Sequence, residues 1–403
     1  MSKSGVFSAK HVERAMQVAE VLQRVQNKTL STKEAALVLG VSTRTVRRYK
    51  ARAAQAGHLQ LIDKRCIRPS PKRLPKALRE QVCALYRTRY YDFNVTHFVE
   101  KLRAKHDITA SYSWVKSTLQ KSGLVSKGKK RNPHRQRRER RAMRGVMLHL
   151  DGSSHRWLGP TGPQWDLLVV LDDADSRVLA ARFVDEESTP TCLAILREVV
   201  ERHGAFGSLY TDRASHFVRT IPGRKALDKK NKTQVARALA QLGTTMIFAH
   251  SPQARGRSER LFGTWQDRLV SEMRLAKVTT MAQANAFLQT HFIAWHNAHL
   301  TVTPSDTVKA FRKVECVDLD RIFAIHHHRV VAKDNTVAFN RQKLQLRADD
   351  CPASMTKRRV TVYEHGNGLL TVGYGEQCLG CFAASDGRWL APCLPKTTTR
   401  KAA

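Results

Sequence analysis

The stretch WDLLVVLDDADSRVLAARFVD, residues 165–185, decides the fold of the central part of the chain. Two apolar runs flank the polar turn Asp-Ala-Asp-Ser, a pattern that predicts two strands joined as a hairpin. The preceding stretch GVMLHLDGSSH, residues 145–155, is also strand-like, and helical and strand-like patterns alternate over residues 189–250. Three strands followed by alternating helices and strands predict a central α/β sheet with helices on its faces.

The N-terminal part, residues 1–60, is predicted to be helical. In LSTKEAALVLGVSTRTVRRYKARA, residues 30–53, Ser31 and Glu34 have the spacing of a capping box, and apolar residues recur at helical spacing around Gly40. This order of features favours a helix-turn-helix domain whose second helix presents polar and basic side chains to DNA. A small helical bundle with a solvated basic face is the alternative. The predicted DNA contacts are Thr43, Arg44, Arg47 and Arg48.

Residues 61–125 predict a second helix-turn-helix-like domain. It begins with a proline-rich basic linker, IRPSPKRLPKA, and continues with three short helical patterns, the last of which carries Lys116 as a further expected DNA contact. Residues 126–144 follow as a basic linker with ten Lys or Arg and one Glu. Such a segment suits phosphate contacts that carry little sequence information.

The charge of the whole chain predicts a polyanionic partner. The 403 residues include 70 Lys or Arg and 34 Asp or Glu, which gives a formal charge of +36. Double-stranded DNA is the expected partner, and a membrane surface is the alternative. The sequence has no apolar run of about 18 residues and no signal peptide pattern, so we expect a cytoplasmic, nucleoid-associated protein. The eight cysteines are scattered, which favours reduced thiols.

Three acidic residues are predicted to form the catalytic site. Asp151 lies at or near the end of the first strand, Asp212 follows a later strand, and Glu259 lies in the helix predicted from SPQARGRSERLFGTWQDRLVSEMR. Displacement at phosphorus uses two divalent cations about 4 Å apart. Mg²⁺ prefers oxygen ligands such as these carboxylates, and Asp151 is the expected bridge between the two ions. Ordinary turn or cap roles are the alternative for each acid.

Other residues are predicted to lie around this site. Ser251 is the expected cap of the third acid's helix, which is followed by further helices to about residue 313. Arg255 and Arg257 lie near the positive end of a helix dipole, where a positive charge needs an anion, so they are expected to face DNA phosphates. His155 is expected either to position water or phosphate or to make a structural hydrogen bond. Asp172 and Asp173 are interpreted as turn-forming, and support of the site is the alternative for Asp172.

The C-terminal part, residues 320–395, shows short alternating strands around turn signals such as Asn367-Gly368, which favours a small β-barrel. Cys378 and Cys381 have the spacing of half a zinc site, but a second close pair is missing, so idle or buried thiols are favoured over zinc. The histidines at 326–328 alternate between strand faces and cannot all bind one ion.

The stretches LHLDGSSHRWLG, LLVVLDDADSRVLAARF, LYTDRASHF and SPQARGRSERLFGTWQDRLVSEMR resemble those of the DDE transposases of bacterial insertion sequences. The catalytic core of that family is RNase H-like and of the retroviral integrase type. The resemblance spans residues 30–313, is strongest in the predicted core at 145–313, and carries the acidic triad onto Asp151, Asp212 and Glu259. The C-terminal segment is similar in kind to the small barrel of phage Mu-type transposases.

The resemblance implies a DNA transposase that contains Mg²⁺ or Mn²⁺, two ions per site. It implies cleavage of phosphodiester bonds at the ends of the element and strand transfer of the 3′-hydroxyl into target DNA, by a homo-oligomer that is at least a dimer on DNA. The alternatives are a DNA-binding regulator with an inert core and a metal-dependent endonuclease without joining activity.

Overall fold

The computed structural model describes residues 9–56, 61, 74–126, 128, 138–219, 228, 231–249, 255–315, 318–347 and 354–391. The chain divides into two compact units, Met1–Ala84 and Leu85–Ala403. In the part of the chain that is described, no helix is both long enough and apolar enough to cross a membrane.

The first unit is built on three helices, α1 (Ala9–Gln26), α2 (Thr32–Leu39) and α3 (Thr43–Ala56). The predicted capping box is confirmed, because the Ser31 hydroxyl accepts from the Glu34 N–H while the Glu34 carboxylate accepts from the Ser31 N–H at 2.7 Å. Gly40 ends α2 with a φ of 64°, a left-handed conformation that glycine adopts without strain. The turn therefore leads directly from α2 into the basic helix α3. Helix α4 (Lys76–Thr88) spans the boundary between the units.

The second unit begins with α5 (Val95–His106) and α6 (Tyr112–Lys121). The Arg268 guanidinium donates to both oxygens of Glu100 on α5, at 2.7 and 2.9 Å. Because a paired fork of this kind fixes orientation as well as distance, α5 is attached to the helix that carries Arg268. Helix α5 is therefore part of the same compact unit as that helix.

The centre of the second unit is a five-stranded sheet in the order β3-β2-β1-β4-β5. The first three strands are antiparallel, and β4 and β5 run parallel to β1. The predicted hairpin and the mixed α/β sheet are confirmed. The strands are β1 (Met147–His155), β2 (Trp165–Asp172), β3 (Val178–Val184), β4 (Ser208–Thr211) and β5 (Thr245–Phe248).

Helices cover both faces of this sheet. One apolar core joins α7 and α8 to a sheet face that includes Leu148 and Leu150, and the other joins α9 to α11 to the face that includes Val169. Since Asp151 pairs with Val169 and side chains alternate along a strand, Asp151 lies on the α9 face. The helices are α7 (Thr189–His203), α8 (Gln234–Gln241), α9 (Gly256–Leu275), α10 (Met281–Phe287) and α11 (Ile293–His299), with a π-helical turn at Leu288–Phe292.

The helical region ends earlier than predicted. The last helix of the core ends at His299, not near residue 313. The sequence Thr301-Val302-Thr303-Pro304 follows, and its β-branched residues and proline disfavour a continued helix. The extended segment instead returns along the core. It forms isolated backbone β-bridges there, one between Arg144 and Lys309 and one between Ala205 and Arg312.

The C-terminal part consists of a short helix, α12 (Leu319–Ile322), and seven strands. Among the described residues, five strands form an open sheet in the order β12-β11-β10-β9-β6, and β7 pairs only with β8. The predicted closed barrel is therefore not shown, because β6 and the three-residue β12 stay at opposite edges of that sheet. The strands are β6 (Ile325–Val330), β7 (Thr336–Phe339), β8 (Gln342–Gln345), β9 (Arg359–Glu364), β10 (Leu369–Tyr374), β11 (Gln377–Ala383) and β12 (Trp389–Ala391).

Candidate active site

Three carboxylates from distant parts of the sequence line one cleft: Asp151, Asp212 and Glu259. Asp212 follows directly after β4, and Glu259 lies in the first turn of α9. Asp151 lies within β1 and not at its end, because β1 continues to His155 along the β2 hairpin. The parallel pairing of β1 with β4 stops at His149 and Tyr210. Asp151 and Asp212 therefore both lie two residues beyond the last pair that β1 and β4 form with each other.

A cation from the chain itself lies between the two aspartates. The Arg255 guanidinium donates to Asp212 at 2.8 Å through Nη1 and to Asp151 through Nη2. Burial lowers the pKa of Arg255 below its usual value, and the nearby Glu259 carboxylate acts in the opposite direction. The two aspartates therefore converge on one positive charge, and Glu259 adds a third negative charge near it.

This donor set fits a divalent cation. Three carboxylates supply the hard oxygen ligands that Mg²⁺ and Mn²⁺ prefer. Asp151 and Asp212 already bind one cationic group together, which shows that their oxygens point to a shared position. The residues present are thus suitable ligands for the metal that the sequence predicts.

Asp173, in the turn between β2 and β3, binds a group of basic residues. It is fully buried, and it accepts from His149 at 2.7 Å and from the backbone N–H of Arg141 at 2.8 Å. Arg138 and Arg257 also donate to it. Burial alone would raise the pKa of Asp173, but the hydrogen bonds from His149 and Arg141 hold it well below its usual range. The sequence predicted only a turn role for Asp173, although three of the four residues 172–175 are aspartates.

The start of α9 is held by the same carboxylate. Besides Asp173, the buried Arg257 guanidinium contacts the backbone carbonyl oxygens of Arg138 and Glu139, at 2.9 and 3.0 Å. Arg257 lies two residues before Glu259, so this contact fixes the first turn of the helix that carries the third acid. Arg255 and Arg257 therefore face buried acids in this structure, and their predicted contacts with DNA stay a prediction.

Two residues expected to assist the site do not line its cleft. His155 packs edge-on against Trp157, with ring centroids 5.2 Å apart, and burial lowers its pKa. Asp172 accepts from the backbone N–H groups of Ala174 and Gly145, at 2.9 and 2.8 Å, and burial raises its pKa to about 6. Asp172 thus forms the turn, as predicted, and also holds the backbone just before β1.

The helical residues that were expected to contact DNA differ in exposure. Lys116 is half-buried, with its ammonium group 5.7 Å from the centre of the Tyr112 ring. The four residues on α3 are all exposed to solvent: Thr43, Arg44, Arg47 and Arg48.

The contacts of the C-terminal histidines and cysteines differ from those of a metal site. His326 contacts the Arg321 carbonyl, His327 contacts Glu364 and His328 contacts Thr361, so the three rings have separate partners, as the alternation predicted. Cys378 is disulfide-bonded, which removes it as a zinc thiolate and departs from the expectation of reduced thiols. The predicted helix cap at Ser251 lies outside the described residues.

Solved structures resemble this chain only distantly. A chain of the simian T-cell lymphotropic virus intasome, in complex with a regulatory subunit of PP2A, aligns with 77% of this chain and 100% of its own length, at 12% identity and a TM-score of 0.33. The HTLV-2 integrase catalytic core domain, in complex with magnesium, aligns with 41% of this chain and 96% of its own length, at 13% identity and a TM-score of 0.30.

Curated relatives are closer in sequence. No family model matches the chain. It is 33% identical over 362 residues to the transposase y4bF of Sinorhizobium fredii, an alignment that covers 89% of this chain and 79% of the relative. It is 27% identical over 302 residues to the transposase for insertion sequence IS1202 of Streptococcus pneumoniae, which covers 66% of this chain and 64% of that one. At 33% identity over 89% of this chain, the first alignment shows that the protein belongs to the transposases.

Proposed function

We propose that this transposase cleaves phosphodiester bonds at the ends of its element and transfers the resulting 3′-hydroxyl into target DNA, with Asp151, Asp212 and Glu259 as the metal-binding catalytic residues. The observation that carries the proposal is the convergence of these three carboxylates on one cleft, with two of them on a single cationic group. Bound Mg²⁺ or Mn²⁺, two ions per site, supplies the Lewis acidity that displacement at phosphorus requires.

The chain's own residues have distinct tasks in this proposal. Asp151 and Asp212 extend from neighbouring parallel strands, so the sheet brings them to the same cleft. The longer Glu259 side chain reaches the same cleft from a helix, and it is exposed, so it can bind a metal ion that also contacts a DNA phosphate. Arg255 keeps the aspartates neutralised until metal and DNA replace it.

A second cleft near the start of α9 suits the DNA backbone. It is lined by arginines from two segments, which can neutralise phosphates without reading bases. One or both DNA strands would pass along it on the way to the catalytic carboxylates. Its lining residues are Arg138, Glu139, Arg140, Arg257, Arg260 and Ser305.

The direct test is a strand-transfer assay with labelled DNA that carries the element's ends, in Mg²⁺ or Mn²⁺. We expect nicked ends followed by joined products. Nicked ends that never become joined would favour an endonuclease, and binding without nicking would favour a regulator with an inert core. Joining of two ends in one product would also require at least a dimer on DNA.

We expect Arg255→Gln to tighten divalent binding in the absence of DNA. The substitution removes the positive charge that now neutralises Asp151 and Asp212. The Mn²⁺ concentration at half-saturation should fall about tenfold, which corresponds to ~1.4 kcal/mol. Mn²⁺ titration followed by electron paramagnetic resonance measures it. Arg260→Gln is the matched control, because Arg260 is exposed on the same helical turn and its guanidinium donates to the Gly256 carbonyl. An unchanged half-saturation point would contradict this role of Arg255.

We expect the double substitution Arg44→Ala and Arg47→Ala to weaken binding to element-end DNA. Both side chains are exposed on α3, the second helix of the turn motif. If both contact phosphates, the slope of log affinity against log salt should decrease by about 1 for each lost contact. Fluorescence anisotropy over a series of salt concentrations measures both quantities. Lys33→Ala, an exposed charge change on α2, is the control, and equal effects of the control and the double variant would refute a specific role of α3.

A further inference from the structure

Glu187, in the loop between β3 and α7, contacts the neighbourhoods of both catalytic aspartates. Its Oε1 lies 2.9 Å from the Nε2 of His216, four residues after Asp212. Its Oε2 packs against Gly152, the residue after Asp151, so closely that a β-carbon on Gly152 would lie only 2.2 Å from it. One carboxylate thus lies between β1 and the loop that follows β4.

The carboxylate is held firmly in this place. The Glu187 backbone N–H donates to Asp166 on β2 at 2.7 Å, and the next residue, Ser188, begins α7. Only about a fifth of the Glu187 side chain is exposed, and His216 is more deeply buried, at 13%. The His216 ring also packs on Phe217, which lies in the apolar core under the sheet.

Beyond the end of the β1–β4 pairing, the contact of Glu187 with His216 ties the loop that carries Asp212 to β1. Asp212 accepts from the Ala214 N–H at 2.9 Å, so the loop is compact, and His216 is the member of it that reaches Glu187. Movement of Glu187 would release the loop from the strand that carries Asp151. The spacing of the two aspartates decides whether one cation can bind both.

We infer that Glu187 and His216 form a positioning pair that sets the spacing of Asp151 and Asp212 for metal binding, an inference that rests on the proposed function. A side chain at position 152 would displace the Glu187 carboxylate from its place beside β1. Groups that orient metal ligands typically change metal affinity or activity by about 10- to 100-fold when they are removed.

A separate metal site is the competing explanation of the same residues. Ligand atoms of Glu187, Cys192 and His216 all lie within 4.8 Å of one another. However, both Glu187 oxygens already have close neighbours, and Cys192 is fully buried. Burial raises the pKa of the Cys192 thiol far above its usual value, with Glu187 adding to the effect, whereas a metal ligand must be a thiolate. The pair of Glu187 and His216 therefore explains the arrangement better.

A double-mutant cycle tests the inference with the full-length protein. Glu187→Ala and Gly152→Ala should each lower the strand-transfer rate about 10- to 100-fold and raise the Mg²⁺ concentration at half-maximal activity. They should also raise the Mn²⁺ concentration at half-saturation, which electron paramagnetic resonance measures in the absence of DNA. The double variant should be no worse than Glu187→Ala alone, because the new methyl group acts by displacing the Glu187 carboxylate. Glu187→Gln keeps the length of the side chain and an acceptor for His216, so it should recover most of the activity.

Two controls separate this outcome from others. Glu186→Ala removes an exposed charge one residue away and should leave rate and Mg²⁺ dependence unchanged. Circular dichroism establishes that each variant is folded. Additive losses in the cycle, or a Glu187→Ala variant with normal Mg²⁺ dependence, would overturn the inference. Co²⁺ added to the wild type tests the competing explanation. A near-ultraviolet Co²⁺–thiolate absorption band that disappears in Cys192→Ser would overturn the inference in favour of a separate metal site.

The result is distinguishable from failure of the proposed function. If Asp151→Asn is inactive while Glu187→Ala behaves as the wild type, the positioning pair is refuted and the catalytic triad stands. If Asp151→Asn retains strand transfer, the triad itself is refuted, whatever the Glu187 variants do.

Discussion

Replacement of Asp151 by Asn should abolish metal-dependent cleavage and strand transfer, by at least about 10³-fold, while end-DNA binding stays nearly intact. Asn has the same size as Asp but lacks the negative charge that a divalent cation requires. Asp151 is nine-tenths buried within β1 and is held by the pairing of that strand with β2, so the substitution changes charge without opening the core. Arg255 retains Asp212 as a partner.

The measurement compares nicked and joined products on labelled element ends with anisotropy of the same DNA. Asp185→Asn is the matched control, because Asp185 is an exposed aspartate directly after β3 and should be fully active. Loss of DNA binding in Asp151→Asn, in parallel with loss of cleavage, would argue that Asp151 acts in binding or folding and not in catalysis.

Replacement of Asp173 by Ala should have the largest effect on stability, a loss of about 3–5 kcal/mol in the free energy of unfolding. The substitution removes the carboxylate that neutralises the Arg257 guanidinium and accepts a hydrogen bond from His149. An uncompensated buried charge costs more than the lost packing of one aspartate side chain. Urea unfolding followed by tryptophan fluorescence measures the change.

The pH dependence gives this prediction a second readout. The pKa of Asp173 is depressed in the folded state, so its contribution to stability is complete above the unfolded value of about 4 and is lost as the pH falls below it. The stability difference between the wild type and Asp173→Ala should therefore be constant near neutral pH and shrink in acid. Asp185→Ala, on the same hairpin but exposed, should change stability little at any pH. A small loss in Asp173→Ala at neutral pH would show that the basic residues find other partners.

The sequence predicts the central sheet well because that sheet follows local periodicity. The apolar alternation in residues 165–185 predicts β2 and β3 with their turn, and the structure confirms both strands. The C-terminal barrel is a different case, since closure depends on pairing between the edge strands β6 and β12, and local pattern carries no information about edges. The predicted helix to residue 313 is wrong because the composition after His299 changes from helix-forming to β-branched.

The candidate site is predictable only in part for a related reason. Acids beside strand ends and in a helix can be recognised one at a time, and the structure brings Asp151, Asp212 and Glu259 to one cleft. The partners of the neighbouring arginines are a matter of three-dimensional packing. Arg257 donates to Asp173, which is 84 residues away in the sequence. A basic residue that the sequence predicts to face DNA therefore neutralises a buried acid.

The backbone β-bridge between Arg144 and Lys309 brings the entry and the exit of the α/β core side by side, and the bridge between Ala205 and Arg312 holds the exit segment against the core. A core whose two ends lie side by side can be joined to different flanking segments without rearrangement of its sheet. Insertions or exchanges in the segments outside these bridges leave the lengths of all connections within the sheet unchanged. A change in the segments that flank this core therefore leaves the strand connections between its carboxylates at their present lengths.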